Sequence, residues 1–407
     1  MAAIRPFRAL RPMPGAARRV AAVPYDVVTT DEARELAAGE PLSFLRVSRA
    51  EIDLPPGTDP HAETVYARAA DNLRSLRRAA PLVTEADASL YCYRLHADGH
   101  EQVGLAACYS LDEYDRGAIK KHEHTRPEKE DDRTRHMLAL RAQAGLVFLT
   151  YRATSTIDDA VERACAGDPL FDFEAPDGVR HTVWAVPPSE VRALVTGFEA
   201  VPALYIADGH HRAASAARAR TTITRGSGAI QEADSFVAVA FPHRQVRILP
   251  YHRVVRDLHG QTAEAFLDRI RAASQVETGG PVPTRAGEVS IYLDGAWHRV
   301  VLFDPADVSG DRAARLDVAR LPRAILEPLL GIGDVRQDPR IDFVGGARGT
   351  AALEDRVDHG EAAVAFSMFP VTVDDLMGIA DEGGIMPPKS TWFEPKLRDG
   401  LLIHPIG

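Results

Sequence analysis

Residues 205–212 read Tyr205-Ile206-Ala207-Asp208-Gly209-His210-His211-Arg212. An apolar run, a glycine and a cationic cluster follow one another, as expected where a buried strand hands over to a helix. Residues 213–220 are rich in alanine, the strongest helix former. The helix starting here therefore turns its unpaired N–H groups and positive dipole end toward whatever lies beside Gly209. Such a junction has the makings of an anion cradle: Gly209 permits close backbone approach, Arg212 offers a two-pronged fork, and His210 or His211 supplies further donors. The same residues also fit a plain helix start, with Asp208 as N-cap and the histidines solvated.

A second polar cluster reads Lys120-Lys121-His122-Glu123-His124-Thr125-Arg126-Pro127-Glu128-Lys129-Glu130-Asp131-Asp132-Arg133. It follows an alternating apolar stretch at 103–111 and precedes a helical pattern over 134–144 that closes at Gly145, which places it on a strand-to-helix loop. In open α/β sheets those loops carry the chemistry. If the chain is extended at 122–124, His122 and His124 face one way and Glu123 the other. Mixed charge runs are more often solvated faces. No Cys or His pair at metal-ligand spacing accompanies the two histidines, so no metal ligand set is assigned.

A chain of 407 residues, 45% apolar and 26% charged, has material for two or three domains. Its net charge of −10 and isoelectric point of about 5.8 disfavour a broad nucleic-acid footprint. Three cysteines, Cys92, Cys108 and Cys165, include no close pair, which excludes a CxxC redox or zinc-ribbon motif and fits a reducing cytosol. No apolar run reaches membrane-spanning length, and Pro6, Pro12 and Pro14 interrupt the N-terminus. A soluble, cytoplasmic protein is the expectation.

The periodicity predicts helices over 31–39, 61–78 (with Val65, Ala69, Leu73 and Leu76 on one stripe) and 262–273. Hairpins are expected at 90–95/103–111 around Asp98-Gly99, at 171–175/181–186 around Pro176-Asp177-Gly178, and at 289–293/297–303 around Asp294-Gly295. Short apolar runs at 146–151, 204–207 and 235–242 read as buried strands of a mixed sheet. The pattern restarts after Val255, so a domain boundary is placed near 256–262, giving a core over 1–257 and a C-terminal α+β region over 258–407. Residues 341–350 suggest a further strand, glycine turn and helix, and match neither a Walker A loop nor the dinucleotide fingerprint. There is no internal repeat.

Near the C-terminus, Met386-Pro387-Pro388-Lys389-Ser390-Thr391-Trp392-Phe393-Glu394-Pro395-Lys396-Leu397 joins stiff prolines to lysines, hydroxyls and aromatics. A pre-ordered loop presenting Lys389 with Ser390 or Thr391 suits gripping an anion. The alternative is a Pro-rich connection whose aromatics fill the core.

Taken in order, Pro6-Phe7-Arg8-Ala9-Leu10-Arg11-Pro12, Val23-Pro24-Tyr25-Asp26-Val27, Ser43-Phe44-Leu45, His122-Glu123-x-Thr125 with Asp132-Arg133, Asp208-Gly209-His210-His211-Arg212 and Met386-Pro387-Pro388-Lys389-Ser390-Thr391 give a chain that resembles domain-of-unknown-function family 1015 over nearly its whole length. That family includes proteins described as free-serine kinases related to the ParB/sulfiredoxin fold. The resemblance implies an α/β (mixed α+β) architecture: a ParB/sulfiredoxin-like nucleotide-binding core with a mixed sheet and a C-terminal α+β region whose 386–396 loop returns to the site. In the wider fold a Gly-x-x-Arg element holds nucleotide phosphates, and Gly209 with Arg212 fits that spacing.

The activity so implied is phosphoryl transfer from ATP, ADP or pyrophosphate, with Mg²⁺, to a small hydroxyl substrate such as free L-serine, giving O-phosphoserine. The phosphates must be cradled and neutralised, and a carboxylate must orient or deprotonate the acceptor. Gly209, His210, His211 and Arg212 form the cradle, with Lys389, Ser390 and Thr391 closing it. Glu123 or Asp208 is the base, and either also suits holding Mg²⁺. His122, Thr125, Arg133 and Lys396 play supporting parts. Two other readings remain: a nucleotide-binding regulatory switch of the ParB type without turnover, which the acidic balance and the missing helix-turn-helix oppose, and a metal-dependent hydrolase using His122, His124, His210 and His211.

Overall fold

The computed structural model describes residues 2–79, 82–223, 232–303 and 311–407, and its chain divides into two units. The first comprises Met1–Val246 and Pro395–Gly407, the second Arg247–Glu394.

The first unit is built on a nine-stranded sheet. Its strands are β1 (Ile4–Arg5), β2 (Tyr91–Ala97), β3 (His100–Ser110), β4 (Ile119–Lys120), β5 (Val147–Tyr151), β6 (Phe171–Glu174), β7 (Arg180–Ala185), β8 (Leu204–Asp208) and β9 (Ser235–Pro242). The order is β4-β8-β5-β9-β3-β2-β7-β6, with β1 on β3. The β8/β4 and β9/β5 pairs are parallel and the rest antiparallel, so the sheet is mixed, as expected. The two-residue turn of the β2–β3 hairpin puts Asp98 (φ 51°) and Gly99 (φ 70°) in the left-handed region, which matches the right-handed twist of the flanking strands. Every residue of β5 and β9 is buried, the mark of central strands covered on both faces.

Helix α1 (Glu63–Ala79) buries the predicted stripe Val65, Ala69, Leu73 and Leu76 against Phe44, Leu45 and Val47. Helix α2 spans Pro127–Leu140 and so begins two turns before the predicted start at Thr134. Its first turn has no apolar face to betray it. Pro127 at the first helical position presets φ, and Glu128 and Glu130 complement the dipole. Much of the charged run thus lies on a helix rather than a loop. Helix α3 (His210–Ile223) follows β8, and its Ala213, Ala216 and Ala219 pack without exposure in the main core with Ile206 and Phe236.

The C-terminal residues are laced into this unit. Asp399 and Ala22 exchange backbone hydrogen bonds (2.9 and 3.1 Å), as do Ile403 and Leu10 (3.0 and 2.9 Å), and His404–Pro405 pairs with Ala142–Gln143. Gly400, at φ +87°, lets the tail pass the Phe44 ring, where a Cβ would lie 2.7 Å from Cγ.

The second unit holds a six-stranded antiparallel sheet. Tyr251–Val255 lies inside it, paired on both edges with Ile341–Gly345 and Val364–Met368. The chain has therefore entered the second sheet before the break read near 256–262. Thr262 caps the helix Ala263–Ala273, and Asp294 and Gly295 turn the hairpin that follows. Residues 341–350 form the strand Ile341–Gly345 and a turn leading into the helix Ala351–Asp358. Among the described residues, no helix is long and apolar enough to cross a membrane.

Replacing Gly400 with Ala combines left-handed strain with a clash against Phe44 and should destabilise the first unit by about 2–4 kcal/mol. Urea unfolding measures this, and an unchanged midpoint would contradict the close approach.

Candidate functional site

Three separated stretches of the first unit meet where β8 passes into α3. At the junction Gly209 adopts φ +94°, and a Cβ there would sit 3.1 Å from Arg212 Nη1 and 3.4 Å from the Val147 backbone. Neither the dihedral nor the space suits an L side chain. The turn delivers His210 as the first residue of α3, with the unpaired N–H groups of the first helical turn behind it. From the tail, Lys396 Nζ donates to Asp208 Oδ2 at 3.1 Å. Burial alone raises the Asp208 pKa, but Lys396, with Arg212 and His210, outweighs it and holds this carboxyl far below the usual carboxylate range.

The third stretch is 121–126, which leaves β4 and bends at Glu123. The His122 amide donates to His210 Nε2 at 3.4 Å, and the two rings lie edge to face with centroids 4.5 Å apart. Burial pushes the His122 pKa down to about 4 and that of His210 well below its ordinary value, so both rings are neutral at pH 7. The His122 Nδ1 is buried with no hydrogen-bond partner. Glu123 is exposed, yet one donor atom from each of His122, Glu123 and His210 falls within 4.8 Å of the others. His124 and His211 are not in this group. His211 Nε2 instead accepts from the Arg126 amide at 3.0 Å. The four-histidine arrangement therefore does not form. Strand pairing stops at Lys120, so the alternation expected at 122–124 gives way to a bend.

Arg212 occupies the predicted place but faces inward. Its Nη1 donates to the Leu146 carbonyl at 2.6 Å and its Nη2 to both Asp26 oxygens at 3.0 Å, with 6% of the residue exposed. The fork expected to grip phosphate is committed to the protein. Arg133 is similarly occupied: it bonds Asp132 (2.7 Å) and the Ser48 carbonyl (3.3 Å) and stacks over Tyr25 at 4.2 Å. Thr125 donates to Glu130 near the start of α2. These three side chains are therefore braces. Tyr25, Arg133, His136, Arg212 and Asp399 line a cavity of about 40 Å³, room for a water molecule or two.

Sequence reasoning assigned no role to Asp26 or Asp399. Asp26 lies in the quoted Val23-Pro24-Tyr25-Asp26-Val27 segment, a signal that was present. Asp399 stands in Arg398-Asp399-Gly400, which looks like an ordinary turn. Burial drives the Asp399 pKa up to about 7 despite Arg212 nearby.

Lys389, Ser390 and Thr391 belong to the second unit. Lys389 Nζ donates to the Tyr251 hydroxyl at 3.3 Å, its carbonyl accepts from Arg253 at 3.1 Å, and Ser390 Oγ donates to the Pro387 carbonyl at 2.5 Å. The Ser390 hydroxyl thus closes its own turn. Of the C-terminal residues proposed for the site, Lys396 is the one within the first unit, and it meets Asp208.

The model of a family described as "Protein of unknown function (DUF1015)" matches residues 4–319, a span that includes the 121–126 loop and the Asp208–Arg212 turn and ends before Lys396 and Asp399. No curated protein matches the chain. Among solved structures, the chain is similar to a conserved hypothetical protein from Pyrococcus furiosus (13% identity, TM-score 0.35, covering 74% of this chain and 95% of that one). It is likewise similar to a free serine kinase in complex with AMP (11%, 0.37, 73% and 91%) and to C-terminally truncated SbnI from Staphylococcus aureus (12%, 0.40, 74% and 87%).

Because folded Asp399 keeps its proton up to about pH 7 while the unfolded carboxyl releases it near 3.8, the native state binds more protons between those values. Stability from this group is therefore present at low pH and lost as pH rises toward 7, at up to about 1.4 kcal/mol per pH unit. Denaturation of wild type and Asp399→Asn at pH 5 and pH 8 isolates the effect. Equal pH slopes in the two proteins would rule it out.

Proposed function

The chain belongs to the DUF1015 family, and we propose that it is a small-molecule phosphotransferase, passing a phosphoryl group from a nucleotide or pyrophosphate to a small hydroxyl compound such as free L-serine. The observation that carries this reading is the meeting of the Asp208-Gly209-His210 turn, the His122–Glu123 loop and Lys396 at the start of α3. Phosphoryl transfer asks little covalent chemistry of a protein. It needs fixed donors for phosphate oxygens, positive charge and a carboxylate beside the acceptor. The Gly209 turn and the first amides of α3 supply the cradle, with Lys396 as the cation and His210 and His211 at its rim.

The base is Glu123. Asp208 is held ionised by Lys396, and a carboxylate so stabilised is a weak proton acceptor, whereas Glu123 sits at the exposed edge where an acceptor hydroxyl arrives. Arg212 builds the site from behind and does not grip the donor. Mg²⁺ would travel with the donor on its phosphate oxygens, with Asp208 as a carboxylate to receive it.

Glu123→Gln should lower turnover by about 100-fold or more while leaving nucleotide binding largely intact. Unchanged turnover would remove Glu123 from the mechanism. The function is tested by incubating amino acids and polyols with ATP, ADP, CTP or pyrophosphate and Mg²⁺ and detecting phosphorylated product by mass spectrometry. A panel empty for every pair, with folded protein, would reject phosphoryl transfer.

A further inference from the structure

We infer that His122, Glu123 and His210 bind one divalent transition cation of the Zn²⁺, Mn²⁺ or Co²⁺ class, an ion distinct from the Mg²⁺ that accompanies a phosphate donor. The donor atoms of the three side chains lie within 4.8 Å of one another, close enough to share a single ion. His122 is 2% exposed, and its Nδ1 is buried without a hydrogen-bond partner. Folded proteins seldom leave such a nitrogen unsatisfied.

His210 is anchored too, as the first residue of α3 and 5% exposed. The 3.4 Å contact from the His122 amide to its Nε2 is at the outer limit of a hydrogen bond, so little is lost if a cation takes that lone pair. The His210 ring is thus held on a helix and the His122 ring by its burial, and Glu123 completes the set from the exposed bend.

Two imidazoles and one carboxylate suit borderline first-row ions and leave coordination positions open. Mg²⁺ prefers oxygen donors in near-octahedral array, which this set does not provide. A carboxylate bound through one oxygen keeps its second for a hydrogen bond, so ligation is compatible with Glu123 meeting an acceptor hydroxyl. The inference rests on geometry and stands whether or not the chain transfers phosphate.

The test uses the full chain, stripped with a chelator and titrated with Co²⁺ under visible absorption, with Zn²⁺ and Mg²⁺ as competitors. One equivalent of Co²⁺ should bind, giving d–d bands that Zn²⁺ abolishes and millimolar Mg²⁺ leaves unchanged. Glu123→Ala, at an exposed position, should weaken binding at least about tenfold, and His210→Asn should remove it. His124→Ala should leave it unaltered. If His210→Asn disturbs the fold by circular dichroism, Glu123→Ala carries the test alone. No stoichiometric binding, binding indifferent to Glu123→Ala, or equal displacement by Mg²⁺ overturns the inference. Co²⁺ binding with an empty phosphorylation panel sinks the kinase reading alone, and turnover without Co²⁺ binding sinks the cation site alone.

Discussion

Burying the guanidinium of Arg212 obliges remote parts of the chain to bring it oxygen. An unpaired buried charge costs several kcal/mol, so the helix start that carries it cannot settle until its partners arrive. Asp26 comes from the N-terminal segment, the Leu146 carbonyl from the approach to β5, and the carboxyl of Asp399 lies nearby from the tail. Tyr25 lies 5.9 Å beneath the charge and 4.2 Å from Arg133, so one ring serves two cations. Gly209 and Gly145 are both places where a side chain would press on Arg212. Everything offered to a ligand at the junction, Asp208 and His210 included, takes its position from this interior clamp.

Chemically identical groups therefore do different work within a few residues. Asp208, half-buried next to Lys396, is locked in its charged form, while Asp399, fully buried and with no ion pair among the described residues, holds its proton toward neutrality. Glu123 stays at the surface. Environment, rather than residue type, sorts these carboxyls into an ion-pair member, a buried group that keeps its proton and a surface carboxylate.

The elements that the sequence announced are those with local causes. Asp98-Gly99 and Asp294-Gly295 demand left-handed turns, the 65–69–73–76 stripe follows the helical period, and the apolar runs at 147–151 and 235–242 are buried at every position. The Asp208–Arg212 turn was legible for the same reason. What could not be read locally was direction. Arg212 looks outward in any sequence reading because its partner Asp26 lies 186 positions away. The start of α2 was hidden because its first turns are charged all round, and the His122–Glu123–His210 group was hidden because period-two alternation parts neighbours that a bend brings together.

The small sheet at the rim of the second unit bears on how the protein assembles. Arg247 pairs with Glu394, Ile248 with Phe393 and Leu249 with Trp392, so the points where the chain leaves and rejoins the first unit are hydrogen-bonded neighbours. Without that pairing, recruiting the tail would mean closing a very long loop, an entropic cost of about 4 kcal/mol. Once the inserted unit has folded, it presents the two ends side by side, and Lys396 and Asp399 reach their places as a short-range event. The pairing thereby lowers the entropic cost of completing the first unit.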